Sequence, residues 1–375
     1  MIDQGVGKHL LRVGALTGAL ALAACGNSAQ QPSNRSTDFP ESKYPSKVFG
    51  DLSGTLHYYD VSGGMTTKVT SATIFKDFTD LTGVQVAADY QGSSDKLYAA
   101  EEAGNVNWDV AEFGTLGDFL LAKEKGMLQK LDPDVVPLNQ LKPGQYDDYG
   151  IHSGTFGIVL GWNTNRWPLS GKHPTSMTDL LDTKTFPGKR CMYKYPEFGA
   201  TLEAPLMADG VEPQELYPLD VDRALRKLQE IKGDIVWWSN GDQAAQYLTD
   251  GTCDIGVVWS GRAMSAVMQD DAPIAISWNK ALIDTAAWGV PKGAPHPELG
   301  QALIAMAVLD VEADIKATNQ IGYPQHDLPL SRFSKKSRPW IPAGKNLEHA
   351  VVEDASYYKM NLPKLNDRFT TWLAR

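Results

Sequence analysis

Trp259 and Arg262 lie three residues apart, directly after the apolar pair Val257-Val258. An aromatic face attracts a cation and packs against methylene groups, whereas a guanidinium binds a carboxylate through two parallel hydrogen bonds. The two side chains could therefore hold a small solute that carries both kinds of charge. Each side chain also has a purely structural alternative. A tryptophan often packs in a core, and an arginine often forms an ion pair on the surface or between two parts of a protein.

Further polar and aromatic side chains follow the ends of other predicted strands. Glu197 precedes a helix, where a carboxylate either pairs with a ligand ammonium or interacts with the positive end of the helix. Thr115 and Ser239 also precede helices, and each either contacts a ligand or caps its helix. Ser62 lies in a glycine-bearing segment that is either a ligand-binding loop or a simple turn. Phe113 is placed to stack on a ligand.

No catalytic or metal-binding pattern accompanies these residues. The 7 histidines are scattered without metal-ligand spacing, and neither a nucleophile elbow nor a phosphate loop occurs. We therefore predict no enzymatic activity and no cofactor. The neighbouring Tyr357 and Tyr358 leave a ferric-iron site open, although packing in a helix is the simpler interpretation. The formal net charge of -10 argues against a nucleic-acid partner, which requires a basic surface.

The beginning of the chain is typical of an exported lipoprotein. A basic segment precedes the apolar run 13–24, which is too short to span a bilayer. The Leu-Ala-Ala-Cys tetrapeptide that ends at Cys25 resembles the bacterial lipobox, in which cleavage precedes a cysteine that then carries a lipid. We predict a signal peptide over residues 1–24, a lipid on Cys25 and a flexible tether over residues 25–48. A plain signal peptide with a chance cysteine is the alternative.

The two remaining cysteines, Cys191 and Cys253, would enter an oxidising compartment after export. They are a candidate disulfide, and two buried free thiols are the alternative. The odd total of 3 cysteines agrees with a separate use for Cys25.

Strands and helices alternate along the rest of the chain. A strand over 55–59 and a helix over 71–82, which Gly83 ends, begin a repeated strand–helix order. This order predicts a mainly parallel sheet covered by helices on both faces. A second series begins with a strand at 157–162 and ends with a strand at 285–290 and a helix at 297–309. Two α/β lobes with more than one connection between them are therefore expected.

Five short stretches, in the same order, are similar to segments of one protein family: 78–86, 123–132, 186–190, 256–261 and 321–324. The chain resembles the spermidine/putrescine-type solute-binding proteins of ABC importers, which have the type II periplasmic binding protein fold. The resemblance implies two α/β lobes, each a mainly parallel sheet flanked by helices, with crossing strands as a hinge and a cleft that closes on a solute. Lobe 1 is expected at 49–157 plus 285–328, and lobe 2 at 158–284 plus 329–375.

The resemblance also bears on the pocket. Glu197 falls where the polyamine binders carry a ligand-contacting carboxylate, and Trp259 falls where they stack an aromatic ring on the ligand. Tyr323, in the segment similar to the end of the family pattern, is a further candidate for ligand contact. Asp284 and Ala286 are the best matches for a tryptophan and an aspartate in the family's hinge segment.

Several polyamine-binding positions are changed in this chain. Val61 and Ala200 stand where the family has an aromatic residue and a second carboxylate, and Arg262 is charged where polyamine binders are not. We therefore expect a small, 4-aminobutyrate-like amino-carboxylate, with its carboxylate at Arg262 and its ammonium at Glu197 or Asp284. A polyamine and a plain organic carboxylate are the alternatives, ahead of a ferric ion or an enzyme substrate.

The resemblance implies partners as well. An ABC permease with its ATPase would receive the solute. The protein would act as an extracytoplasmic monomer, held at the bacterial cell membrane only through the lipid on Cys25, and it would bind no nucleic acid.

Overall fold

The computed structural model describes residues 39–375. The predicted signal peptide, the lipid site Cys25 and residues 25–38 of the predicted tether lie outside the described residues. The later part of that tether segment is packed onto the fold, because Tyr44 is only 2% exposed and its ring meets those of Phe39 and Phe49. Across the described residues, the helices lack the combination of length and apolar composition that a membrane span requires.

The described chain contains strands of very different length. They are β1 (Thr55–Asp60), β2 (Gln85–Tyr90), β3 (Val110–Phe113), β4 (Tyr146–Asp147), β5 (Gly150–Asn163), β6 (Arg190–Tyr193), β7 (Ile235–Trp238), β8 (Ile255–Trp259), β9 (Ile274–Gly289) and β10 (Val351–Val352).

The α-helices lie between these strands and at the C-terminus. They are α1 (Ser46–Phe49), α2 (Gly64–Ala72), α3 (Ile74–Thr82), α4 (Asp95–Glu102), α5 (Leu116–Glu124), α6 (Glu203–Ala208), α7 (Val221–Gln229), α8 (Gly241–Thr249), α9 (Ser260–Asp270), α10 (Pro297–Leu309), α11 (Val311–Ile321) and α12 (Ala355–Leu373).

The strands form one sheet in the order β2-β1-β3-β9-β5-β8-β6-β7, with β4 beside β5 and β10 beside β9. We call β2, β1 and β3 the first half of the sheet, and β8, β6 and β7 the second half. Within each half the strands run parallel. Helices join these parallel strands, as the right-handed crossover connection requires. The predicted α/β class, with a mainly parallel sheet flanked by helices, is confirmed.

The long strands β5 and β9 connect the two halves. Residues 150–158 of β5 pair with residues 282–289 of β9 beside β3, and residues 160–163 pair with residues 274–277 beside β8. The pairing register shifts between Ile158 and Leu160, so the ladder is irregular where it passes from one half to the other. These two strands are the crossing connections that the alternating pattern predicted.

Both strands are much longer than the apolar runs from which they were predicted. The sequence indicated only 157–162 for β5 and 285–290 for β9, because their other segments mix Gly, Ser, Thr, Asn and Lys with apolar residues. The predicted helix over 71–82 is also divided. Residues 64–72 form a separate helix, α2, and the backbone angles of Thr73 (φ -120°, ψ -100°) interrupt the helical path before α3.

Buried side chains gather into separate hydrophobic clusters along the sheet. Two clusters are built from residues 44–151 and 287–313, which surround the first half. Two others are built mainly from residues 156–282 and from α12, around the second half. Cys191 of β6 and Cys253, just before β8, form a disulfide inside the last of these clusters, with their Cα atoms 5.6 Å apart.

Candidate functional site

A cavity of about 110 Å³ lies where the two halves of the sheet meet. Its walls come from the loop after β1, the end of β3, β5 and β9, the first turn of α9, and the helices α2 and α11. Four of the predicted ligand-binding residues line it: Ser62, Trp259, Arg262 and Tyr323. Parallel strands end and helices begin at this edge, which is where α/β folds generally expose ligand-binding groups.

Arg262 projects from the first turn of α9 and is 7% exposed. Its Nη2 donates to the backbone carbonyl of Ser62 at 2.9 Å, across the boundary between the two halves of the sheet. Nη1 lies 3.3 Å from Oδ1 of Asp242 but lacks hydrogen-bond geometry, and neither Nη1 nor Nε has a hydrogen-bond partner. Buried donors without partners are unfavourable, so this guanidinium has open capacity for an anionic ligand group.

Trp259 is held in one orientation by its neighbours. Its Nε1 donates to the carbonyl of Phe198 at 2.9 Å, and the two ring centroids are 4.3 Å apart. Phe198 itself has the left-handed φ of 71°. A Cβ at Gly241 would lie only 2.4 Å from the indole ring, so this glycine is needed for the ring to fit. The fixed indole lines the cavity, where an ammonium or an alkyl chain can pack against an aromatic ring.

Two buried carboxyl groups hold the loop that carries Ser62. Glu112 accepts hydrogen bonds from the Val61 and Ser62 backbone N–H groups at 3.0 and 3.1 Å, and from Ser62 Oγ at 2.8 Å. Asp60 accepts from the N–H groups of Ser62 and Gly63 at 2.9 and 3.0 Å. Burial, with a further contribution from Asp60, raises the pKa of Glu112 to about 7. The carbonyl of Ser62 is thereby fixed in place for Arg262.

Tyr323 lies against α9 at Gly261, the second residue of that helix. A Cβ at Gly261 would lie 1.9 Å from the carbonyl oxygen of Ile321 and 2.4 Å from the Tyr323 ring. Only glycine therefore permits this close approach of α9 to the 321–324 segment. Burial raises the pKa of Tyr323 to about 12, so its hydroxyl is neutral and can act as a hydrogen-bond donor.

Three other predicted site residues do not line this cavity. Phe113 is fully buried and packs edge-on against Phe119. Thr115 caps α5 by accepting from the Asp118 N–H at 3.1 Å. Ser239 donates from its N–H and its Oγ to the Gln243 side chain, at 2.8 and 3.1 Å.

Glu197 and Asp284 belong to a buried group of carboxyl side chains beside the cavity. We call this group the carboxyl cluster, and its members are Asp118, Glu197, Glu203, Asp284 and Glu353. Neither Glu197 nor Asp284 lines the cavity, but Phe198, the residue after Glu197, does. Thr115 donates to Glu197 at 3.2 Å, and the Leu116 N–H, at the N-terminus of α5, lies 3.4 Å from Asp284.

The charges that act on Glu197, Asp284 and Glu353 come from other members of the carboxyl cluster. Burial raises the pKa of Asp284 to about 7. Burial, with repulsion between neighbouring carboxylates, raises the pKa values of Glu197 and Glu353 well above the usual range. One carboxyl oxygen each of Glu203, Asp284 and Glu353 has no hydrogen-bond partner. The cluster therefore retains protons near neutral pH.

The C-terminal tyrosine pair takes part in packing. Tyr358 is fully buried and donates to Glu203 Oε1, 2.6 Å away, while its neighbour Tyr357 packs against Tyr217. Neither tyrosine lines the cavity. In the part of the chain that the structure describes, histidine, cysteine and carboxylate side chains form no group arranged to hold a metal ion.

Sequence reasoning missed several residues on the cavity wall. Glu112 was visible as an acidic residue within an apolar strand, which is a signal of a buried polar role. Thr66, Ser153 and Gln325 carried no comparable signal, because the first two lie in α2 and in the polar part of β5. The third follows the 321–324 segment. Only the packing of these segments brings them to the cavity.

Comparison with known proteins agrees with this geometry. A family model described as bacterial extracellular solute-binding protein matches residues 73–325. The gamma-aminobutyric acid-binding protein of Pseudomonas aeruginosa is 32% identical over 322 residues, covering 84% of this chain and 89% of that protein. The spermidine/putrescine-binding periplasmic protein of Escherichia coli is 22% identical over 295 residues, covering 77% of this chain and 82% of that protein.

Solved structures show the same fold. A receptor for GABA (gamma-aminobutyric acid, or 4-aminobutyrate) superposes with a TM-score of 0.76 at 34% identity, covering 86% of this chain and 98% of the other. A periplasmic binding protein of A. tumefaciens in complex with agropinic acid superposes with a TM-score of 0.76 at 26% identity. The match covers 86% of this chain and 100% of the other. These relatives are solute-binding proteins and not enzymes, and proteins of this kind bind small molecules and work with ABC transporters. The chain belongs to the bacterial extracellular solute-binding proteins.

Proposed function

We propose that this protein captures a small amino-carboxylate, of the size and charge of 4-aminobutyrate, for an ABC importer. The observation that carries the proposal is the Arg262 guanidinium. It is buried at the cavity wall, Nη2 is hydrogen-bonded to Ser62, and Nη1 forms an ion pair with Asp242. Neither Nη1 nor Nε has a hydrogen-bond partner. A ligand carboxylate would fill this capacity with charge-assisted hydrogen bonds. The 32% identical relative is a gamma-aminobutyric acid-binding protein, which supports the same class of solute.

The ammonium end of such a solute has two sets of candidate partners. Glu112 and Trp259 both line the cavity, and an ammonium near Glu112 would favour the ionised form of that carboxyl group. Glu197 and Asp284, which the sequence indicated, lie in the carboxyl cluster behind Phe198. Calorimetric titration of the variants Glu112→Gln and Glu197→Gln with 4-aminobutyrate distinguishes the two sets of candidate partners. Replacing the carboxylate that pairs with the ammonium should weaken binding about tenfold or more.

A polyamine is the second candidate. The carboxyl cluster supports it, since these buried acids face one another without a compensating cation among the charges that act on them. More distant relatives are spermidine/putrescine-binding proteins. A plain organic carboxylate would use Arg262 alone.

The mode of capture follows from the crossing strands. We propose that residues 49–157 plus 285–328 and residues 158–284 plus 329–375 act as two lobes, with β5 and β9 as the hinge. The hydrogen bond from Arg262 to Ser62 then belongs to the closed form. An ABC permease and its ATPase would receive the solute from a monomer of this protein.

We also propose that the chain is anchored at the outer side of the cell membrane through a lipid on Cys25. The lipobox-like sequence supports this proposal. Labelled fatty acid should be incorporated into the wild-type chain expressed in bacteria, and the Cys25→Ser variant should remain unlabelled. Equal labelling of the two would exclude Cys25 as the lipid site.

Isothermal titration calorimetry of the full chain in mild detergent tests the solute. We expect 4-aminobutyrate to bind at least tenfold more tightly than butyrate, putrescine or spermidine. Tightest binding of putrescine or spermidine would favour the polyamine alternative, and tightest binding of butyrate would favour the organic carboxylate.

A further inference from the structure

An exposed carboxylate pairs with the Arg262 guanidinium from outside the cavity. Asp242 is the second residue of α8, and its Oδ1 lies 3.3 Å from Nη1 of Arg262. The Asp242 side chain is 70% exposed and that of Arg262 only 8%. Arg262 lines the cavity and Asp242 does not, so this ion pair contributes its cation, and not its anion, to the cavity wall.

The ion pair lies at the contact between the two halves of the sheet. Gly64, the first residue of α2, follows β1 of the first half and has a left-handed φ of 56°. A Cβ at Gly64 would lie 3.0 Å from Oδ2 of Asp242 and 3.3 Å from Nη1 of Arg262. The N-terminus of α2 has no capping side chain, so the Asp242 carboxylate also lies favourably beside the positive end of that helix. Asp242 is therefore held beside the proposed carboxylate site.

The charge of Asp242 acts on a residue of the cavity wall, Tyr323. Burial is the main reason that the pKa of Tyr323 rises to about 12, and the charges of Arg262 and Asp242 act on this pKa in opposite directions. The guanidinium lowers it, and the carboxylate raises it. Because Tyr323 lines the cavity, a charged solute group at this wall would experience both fields.

A plain carboxylate and an amino-carboxylate respond differently to these two charges. The carboxylate of either solute is attracted by Arg262 and repelled by Asp242. The ammonium of an amino-carboxylate is attracted by Asp242, which offsets part of that repulsion, whereas butyrate has no cation that could do so. A repulsive group directed against the wrong solute is a general source of specificity. We infer that Asp242 selects against solutes of net negative charge, so that this site prefers zwitterions to plain carboxylates. This inference rests on the proposed function.

The ratio of the dissociation constants of butyrate and 4-aminobutyrate tests the role of Asp242. Competition calorimetry on the full chain in mild detergent measures this ratio. Asp242→Asn should bind butyrate about three- to fivefold more tightly than the wild type does, and 4-aminobutyrate within about twofold, because an exposed charge contributes modestly. Asp242→Lys should narrow the ratio further, and Asp242→Glu, which keeps the charge, should retain the wild-type ratio. High salt should reduce these differences, since Asp242 is exposed.

Asp270→Asn is the matched control. It removes the same charge from an exposed position at the far end of α9 and should keep the wild-type ratio. If Asp242→Asn keeps or widens the ratio, whether or not it weakens both solutes, Asp242 serves only to orient Arg262 or to stabilise the helix ends. That result overturns the inference while the proposed function stands. If the wild type binds neither solute, the proposed function fails and this inference fails with it.

Discussion

Arg262, on α9, donates a hydrogen bond to the backbone carbonyl of Ser62, on the loop after β1, at 2.9 Å. These residues are far apart in the chain, and they belong to opposite halves of the sheet. Glu112 holds the Ser62 side of this contact, and Gly261 allows α9 to sit close enough for the Arg262 side. The contact therefore joins the proposed solute site to the relative position of the two halves.

Replacing Arg262 with glutamine should abolish high-affinity binding of 4-aminobutyrate. The variant loses a charge-assisted pair that is worth about 2–4 kcal/mol, or roughly 30- to 1,000-fold in Kd. Calorimetry measures this loss. Arg226→Gln, at an exposed arginine on α7, should bind like the wild type. Unchanged affinity of the Arg262 variant would show that the guanidinium serves only as a link between the halves.

Trp259→Leu should weaken binding by about tenfold, because a leucine cannot provide the aromatic face that attracts a cation. Trp259→Phe should retain most of the affinity, although it loses the hydrogen bond from Nε1 to the Phe198 carbonyl. Titrations of both variants with 4-aminobutyrate, with circular dichroism to verify folding, distinguish stacking of Trp259 on the solute from packing of Trp259 within the protein. Equal losses in the two variants would contradict a role for the aromatic face.

Stability should fall as the pH rises, because Asp284 has a pKa of about 7 in the folded protein. An unfolded aspartate titrates near pH ~3.9, so the folded state binds more protons between about pH 4 and 7. The stabilising contribution is complete below the unfolded pKa and is lost as the pH rises through the folded pKa. Guanidinium unfolding at pH 5, 6, 7 and 8 should therefore give decreasing free energies of unfolding.

Asp284→Asn should remove part of this pH dependence and stabilise the protein at pH 8 relative to the wild type. Asparagine is neutral at every pH and keeps an acceptor for the Thr285 N–H, which donates to Asp284 at 2.7 Å. Asp270→Asn, at an exposed carboxylate on α9, is the control and should leave the pH profile unchanged. A wild-type profile that rises from pH 5 to 8 would contradict the proton retention assigned to the carboxyl cluster.

Replacing Cys191 and Cys253 together with alanine should lower the free energy of unfolding by about 2–4 kcal/mol, since the disulfide restricts the unfolded chain. The bridge joins residues 62 positions apart and lies in the core of the second half. Guanidinium titration measures the change. Solute affinity should stay close to that of the wild type, because neither cysteine lines the cavity. Stability equal to that of the wild type would show that the core alone holds these strands.

The sequence by itself predicted the class of fold, and it indicated Cys191 and Cys253 as a candidate disulfide and Trp259 and Arg262 as candidate ligand-binding residues. Alternating apolar strands and amphipathic helices carry that information locally, since each short run must bury one face. It did not determine the lengths of β5 and β9, because their polar segments become strands only through pairing with each other.

Only the tertiary structure decided which polar residues share the cavity. Glu112, Thr66 and Ser153 reach it through packing between segments that are distant in the chain, whereas Glu197 and Asp284 are placed in the neighbouring carboxyl cluster. Local sequence shows which residue ends a strand or begins a helix. Burial, unpaired hydrogen-bonding atoms and shifted pKa values depend instead on what the folded chain places around that residue, and no local pattern contains that information.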